Sequence, residues 1–301
     1  MTNGITNDSP LTGDAVAALD RQLAASLNDI GIPPRPRILE LIVLEARADE
    51  PDFNYLAELI RADVALAAGL IKTANSPFFG YRQKTRNVRD ALAMLGLKAA
   101  GNAVAALILR RVFPPPPQLQ RFWDASERTA QLAAWLVQKV GVRFGVNGEM
   151  AYTFALFRDC GIPILLRRFS GYIETLGLAN ADPIRPFTAV EEAATSTNHA
   201  VIGALMAQSW WLPDELFVAI RRHHDFTALD SLTEGVQGSS ARLIALAQLA
   251  EKLHQTETGM NQTREWDKLG GICLSILGLG ESIQPEMMAE AKEFMANLAT
   301  F

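Results

Sequence analysis

Apolar residues recur along this chain at intervals of three and four, the period of an amphipathic helix, and almost never in the strict alternation of a half-buried strand. Ile38, Leu41 and Ile42 share one helical face, and Leu56, Leu59 and Ile60 repeat the arrangement. Asp63 stands as an N-cap before a run through Leu66, Leu70 and Ile71. Ser76-Pro77 ends that run, because the residue before a proline is pushed out of the α region. The same period continues over 88–112. The most apolar long stretch, ALAMLGLKAAGNAVAALIL at 91–109, contains Lys98, Gly101 and Asn102, so it predicts a buried helix pair rather than a membrane span.

The run Pro114 to Pro117 cannot be helical and predicts an extended, semi-rigid spacer. Beyond it, 119–140 reads as helix and GVRFGVNGE as a loop. Residues 149–168 read as helix interrupted at Gly161-Ile162-Pro163, and 186–209 as a helix or helix pair. Pro213, Asp214 and Glu215 place a proline and two acids in the first turn of the segment that leads to His223 and His224, a strong start signal. A polar loop, TALDSLTEGVQGSS, precedes a helix from Ser240 to about His254. A final helical region covers roughly 264–299, with GLGES as a break. No internal repeat is visible. The expectation is an all-α orthogonal helical bundle in two lobes. Its divisions are a disordered leader over 1–20, an N-terminal lobe over 21–113, the spacer over 114–117, a second lobe over 118–255 and a helical extension over 256–301.

Composition changes this picture little. With 301 residues, 49% of them hydrophobic and 20% charged, the chain can bury a substantial core. A net charge of −5 argues against non-specific binding to a polyanion. The N-terminus, MTNGITNDSPLTGD, lacks the basic start and apolar run of a secretory signal. The two cysteines, Cys160 and Cys273, are too few and too scattered for a disulfide framework, which suggests a reducing cytoplasm.

Chemistry concentrates at VAIRRHHDF, residues 218–226, which holds two of only four histidines. Neighbouring helical residues point about 100° apart, so His223 and His224 serve one ion only if it sits between their faces. Taken alone, the tripeptide leaves a metal site and a packing role both open.

Four segments read together narrow the choice: WDASERTAQLAAWL, ALFRDCGIPILL, EEAATSTNHAVIGALMAQSWWLPDELFVAIRRHH and LIALAQLAEKL. With IPPRPRILELI and the Ala74-Asn75-Ser76 turn, their order and wording resemble the HDOD family, a degenerate branch of the HD and HD-GYP phosphohydrolase superfamily. The resemblance spans about residues 31–250 and implies that the second lobe is HD-domain-like. Catalytic relatives hold two or more metals, with a bridging hydroxide attacking phosphorus. On that pattern the early-helix histidine is replaced by Ala125, the His-Asp pair reads Arg158-Asp159, and the final aspartate falls at Gln248. Asp159, His199, His223 and His224 remain. A guanidinium cannot ligate a metal, so Arg158 is expected to stand in for an ion and neutralise Asp159 or another acid in a degenerate ligand pocket.

The resemblance therefore implies a non-catalytic bacterial signal-transduction module that binds a protein or a small ligand, with no cofactor. The expected partners are a signalling protein or small ligand, with self-association open and neither membrane nor nucleic acid favoured. The alternative is a metal-dependent phosphohydrolase with one divalent ion on Asp159, His199, His223 and His224. For the same residues the plainer expectations are these. His199 and His223 serve as hydrogen-bonded packing residues. His224-Asp225 forms a surface pair at a helix end. His254 lies on the surface, and Cys160 is an inert core thiol. The Arg110-Arg111, Arg167-Arg168 and Arg221-Arg222 pairs and the stretch YRQKTRNVR make local ion pairs, with phosphate or nucleic-acid binding as the competing reading. Pro77-Phe78-Phe79 with Tyr81 is expected to pack between the lobes, with an exposed anchor for a partner as the competing reading.

Overall fold

A computed structural model describes residues 29–76, 84–114, 119, 121–140, 145–229, 235–260 and 262–298, and among them there is no strand. The leader, the Pro77-Phe78-Phe79 and Tyr81 cluster and the proline run after Pro114 lie outside the described residues.

The first lobe is built from α1 (Arg37–Glu45), α2 (Phe53–Arg61), α3 (Val64–Ala74) and α4 (Val88–Val112). The caps are those the sequence supplies. Asp52 Oδ1 accepts from the Asn54 and Tyr55 N–H groups, and Asp63 Oδ1 accepts from Leu66 N–H at 3.1 Å. Asn75 pairs through both ends of its amide with the Thr85 backbone, each bond 2.8 Å, and so ties the end of α3 to the segment that enters α4. The apolar helix α4 packs against α1, α2, α3 and the second lobe. It is long and apolar enough to cross a membrane, but Leu92, Ala100, Val104 and Leu109 are buried in this core. Its break is at Gly96 (φ 74°), in the left-handed region open to glycine, so the expected pair of helices is present.

The second lobe contains α5 (Phe122–Val140), α6 (Gly148–Phe157), α7 (Ile162–Arg168), α8 (Tyr172–Ala181), α9 (Phe187–Thr195), α10 (His199–Ser209), α11 (Asp214–Arg222), the short α12 (Phe226–Leu229) and α13 (Gly235–Thr258). Helix α13 packs on α5, α6 and α11, and its residues Leu243 to Ala247 are all buried, as in a helix surrounded by protein. Helices α14 (Glu265–Ile276) and α15 (Pro285–Leu298) close the outside of α13.

Several boundaries differ from expectation. Helix α13 begins five residues earlier than Ser240, within the stretch taken for a loop, and runs on to Thr258. Ser240 sits inside it, its hydroxyl donating to the Glu215 carbonyl at 2.8 Å. The interruption placed at Gly161-Ile162-Pro163 falls instead at residues 158–161, because Pro163 is tolerated in the first turn of α7. Helix α8 lies where no element was assigned.

The lobes meet at the Trp210-Trp211 pair. The buried Trp210 indole donates to the Pro33 carbonyl at 3.2 Å, while Trp211, at φ 59°, supports the Arg35 guanidinium 3.2 Å above its ring.

Candidate functional site

The site forms where three chain breaks meet. Arg158 ends α6 as its C-cap, and Asp159 follows in the turn before α7. His199 is the first residue of α10, whose N-cap Asn198 accepts from Val201 N–H at 2.8 Å. His223 is the C-cap of α11, and His224 lies just past it. Because the helix has ended, the two adjacent rings are not splayed, and their centroids stand 4.1 Å apart. Gly161 locks the arrangement: a Cβ there would collide with the His199 carbonyl oxygen, so only glycine lets the Asp159 turn seat against the start of α10.

All three imidazoles are held by Nδ1. His199 Nδ1 meets Glu191 Oε2 at 2.7 Å, His223 Nδ1 donates to the Ile220 carbonyl at 2.8 Å, and His224 Nδ1 meets Glu265 Oε2 at 2.6 Å. Glu191 is fully buried and also accepts from the Tyr172 hydroxyl; Glu265 also pairs with Lys268. Each outer bond orients a ring and leaves Nε2 for the inside, as outer partners do in metal sites. His199 Nε2, His223 Nε2 and Asp159 Oδ1 form a triangle with sides 3.2, 3.3 and 3.5 Å. Ligands about 2.0–2.1 Å from one tetrahedral ion stand about 3.3 Å apart, so this triangle fits one ion. His224 offers a fourth atom, all four lying within 4.8 Å of one another.

Arg158, only 6% exposed, binds the other side of Asp159, its Nε donating to Oδ2 at 3.1 Å while Nη2 meets Glu251 Oε1 at 3.0 Å. Arg158 thus pairs with two partly buried acids, and its guanidinium lies beside the imidazole cluster rather than inside it. Burial opposes ionisation of Asp159, yet Arg158 and the His199 and His223 hydrogen bonds hold its carboxyl well below the usual range. Burial alone would lower the His199 pKa, but the charges of Glu191 and Asp159 outweigh it and raise it to about 10. His223 is pushed down to about 3 by burial and by His224. Burial also raises Glu251, with Arg158 opposing.

The sequence-predicted residues Arg158, Asp159, His199, His223 and His224 thus converge. Three expectations need correction. His224 is buried and stacked on Phe187 at 4.8 Å rather than paired with Asp225, which instead binds Arg222 at 2.8 Å. His254 is buried, not on the surface, because the longer α13 carries it under the loop that leads to α14. Gln248 is buried away from the cavity, and the acid that α13 brings to Arg158 is Glu251. Glu191, Glu251, Glu265 and Tyr172 were missed. For Glu251 there was a signal: Gln248, Glu251 and Gln255 fall at helical spacing on one polar face of α13, beside the apolar run Leu243 to Ala247. The first two arginine pairs do not make local ion pairs but reach partners 14 or more residues away in sequence. Arg110 pairs with Asp124 and Glu127, Arg111 with Asp63, and Arg167 and Arg168 donate to the carbonyls of Val112 and Asp29.

A cavity of about 480 Å³ opens above this floor, walled by α5, α8, α13 and the segment before α14. Ala125, the position of the lost early-helix histidine, lines it.

Residues 32–226, about two thirds of the chain, match the HDOD domain family. The chain belongs to that family. Several solved structures share its fold. An HDOD domain protein of unknown function from Geobacter sulfurreducens aligns over 94% of this chain and 95% of its own, with TM-score 0.55 and 20% identity. A protein from Shewanella amazonensis SB2B, provisionally named a metal-dependent phosphohydrolase, aligns over 93% of this chain and 99% of its own, with TM-score 0.61 and 16% identity. A third, from Marinobacter aquaeolei VT8 and provisionally named a signal transduction protein, aligns over 94% of this chain and 65% of its own, with TM-score 0.59 and 20% identity. Among curated sequences, an uncharacterized protein of Treponema pallidum (strain Nichols) is 26% identical over 209 residues, 68% of this chain. The aligned region is 40% of that relative's length. At these identities the structural likenesses bear on the fold alone, so the HDOD site has to be interpreted from its own residues.

Proposed function

We propose that this HDOD chain is a regulatory module that works by binding a ligand or partner at the cavity and does not hydrolyse phosphodiesters. The observation that carries this reading is the Arg158 ion pair. Two-ion hydrolysis needs a second cation about 3.5–4 Å from the first, bridged by a shared carboxylate. Asp159 offers Oδ1 to the imidazoles, but its Oδ2 is taken by Arg158, which also occupies Glu251. A fixed guanidinium thus stands on the side of Asp159 where a second ion would bind, and Ala125 supplies no ligand there.

A second reading rests on the imidazole triangle. His199, His223 and Asp159, with His224 in reach, fit one divalent ion, which would supply Lewis acidity and a bound water of lowered pKa. The chain's own part is to present Nε2 from three rings fixed by Glu191, the Ile220 carbonyl and Glu265.

The test is elemental analysis of the purified chain, with hydrolysis of bis(p-nitrophenyl) phosphate measured with and without added manganese or iron. The regulatory reading expects no turnover in either condition. Stoichiometric metal that disappears in His199→Ala, together with turnover, overturns it; metal without turnover assigns the ion a structural or sensory role.

A further inference from the structure

Three cavity-lining residues carry a buried side-chain atom without a hydrogen-bond partner among the described residues, and one of these atoms, Glu265 Oε1, is held instead by the Lys268 ammonium. Arg158 Nη1 and His254 Nε2 are both buried, and neither has a hydrogen-bond partner among the described residues. Arg158 spends its other nitrogens on Asp159 and Glu251, so Nη1 is a spare donor. A donor left this way in a buried site costs about 1–3 kcal/mol unless something else accepts from it. The rest of the wall is mixed. Phe122, Ile162, Leu176 and Phe187 give it apolar surface, and Asn180 and Gln262 edge it with amides. Its volume lies within the range of about 300–1,000 Å³ usual for small-molecule sites.

Charge decides the kind of molecule. Glu191 faces His199, and Glu265 is bound by Lys268 and His224. What is left on the wall is Asp159 and Glu251 against Arg158 and the exposed Arg121, which balance. The spare Nη1 therefore belongs to a cation already flanked by two carboxylates, at 3.1 and 3.0 Å. A phosphate dianion brought to it would meet both of those carboxylates.

Resting on the regulatory reading above, we propose that the cavity receives a small uncharged molecule with an apolar ring or chain and a carbonyl-type oxygen. The oxygen accepts from Arg158 Nη1, and His254 Nε2 completes the polar edge. Burial and the nearby Arg128 lower the His254 pKa, so the group offered is a neutral imidazole, suited to a neutral carboxamide-like head.

A matched series tests this in the full-length chain: benzamide, benzoate and phenyl phosphate have the same ring and differ in head charge. Their binding is followed by ligand-observed NMR titration, with phenol release monitored in the phenyl phosphate sample. The expected order is benzamide, then benzoate, with phenyl phosphate weakest. Ala125→Phe, which fills the cavity, abolishes benzamide binding. His254→Leu weakens it about fivefold, the scale of one neutral hydrogen bond. Tighter binding of intact phenyl phosphate than of benzamide overturns this inference and leaves the regulatory reading standing. So does no binding by any of the three, or benzamide binding indifferent to both substitutions. Release of phenol at a rate lost in Ala125→Phe overturns the regulatory reading itself.

Discussion

Arg158 and Asp159 are sequence neighbours that turn back onto each other, Nε to Oδ2 at 3.1 Å, with Asp159 Oδ1 left to face His199 and His223. One carboxylate is shared between a guanidinium and an imidazole pair. Removing the guanidinium strands two partly buried acids at the cavity wall without their cation. Arg158→Met is therefore expected to destabilise the fold by about 3–5 kcal/mol, the cost of breaking a buried pair from one side. Adding Glu251→Gln should recover part of that loss. Urea denaturation of the single and double variants measures both; a single variant within 1 kcal/mol of the parent, by order of magnitude, would mean the ion pair is not buried as described.

Gly161 sits against the His199 carbonyl with no room for a side chain. Gly161→Ala should cost about 1–3 kcal/mol through overpacking. It should also push the Asp159 turn away from α10, so that the His199 ring resonances in NMR shift more than they do in Gly271→Ala on α14. Gly271→Ala, where a Cβ meets nothing within 4 Å, serves as a comparison for the stability effect.

How much of this was visible beforehand depends on which physical cue each residue carried. The helices announced themselves through period and end signals, as at the Asp63 cap and the Ser76-Pro77 stop. The cluster of Asp159, His199, His223 and His224 could be assembled because residue type and order resembled a known family. The residues that hold those side chains left weaker traces. Glu191 and Glu265 look like ordinary surface acids in EEAATSTNHA and TREWDKL, and only three-dimensional packing puts them on His199 and His224. His254 was misjudged for a related reason: the helix end was placed at it, whereas α13 continues four residues further and is roofed by the chain leading to α14.

His254 also offers a pH test clear of the imidazole cluster. Its folded pKa is below the ordinary value because of burial and Arg128. The unfolded chain therefore takes up the proton first, near the ordinary value of about 6.5. The stability tied to keeping His254 neutral is complete above that pH and is lost as pH falls toward the folded pKa. His254→Leu removes this dependence. Urea midpoints between pH 8 and pH 5, chosen to span about 6.5, should fall more steeply for the parent chain than for the variant; parallel curves would disprove it.

The thiols should be silent. Cys160 and Cys273 are both buried and outside any disulfide; burial lifts Cys273 to about 12 and, with Asp159 adding to it, raises Cys160 as well. Iodoacetamide at pH 8 should leave both unmodified in the native chain and alkylate both in urea, as read by intact mass. Rapid native labelling of Cys160 would show that the turn beneath Asp159 opens.

The contact between Gly161 and the His199 carbonyl has a mechanical consequence. Backbone rests directly on backbone there, so the imidazole floor and the Asp159 turn move as one piece. The opposite wall is fastened differently. Gln262 Nε2 donates to the Gln255 carbonyl at 2.8 Å, Arg264 N–H to that of Asn180 at 3.0 Å, and Gly259 takes a positive φ of 67° between them. These few polar clasps join α13, α14 and α8 across the cavity. Glu265, the first residue of α14, also holds His224 at 2.6 Å, so the clasped wall and the imidazole floor are joined where α14 begins, beyond the region that matches the HDOD family.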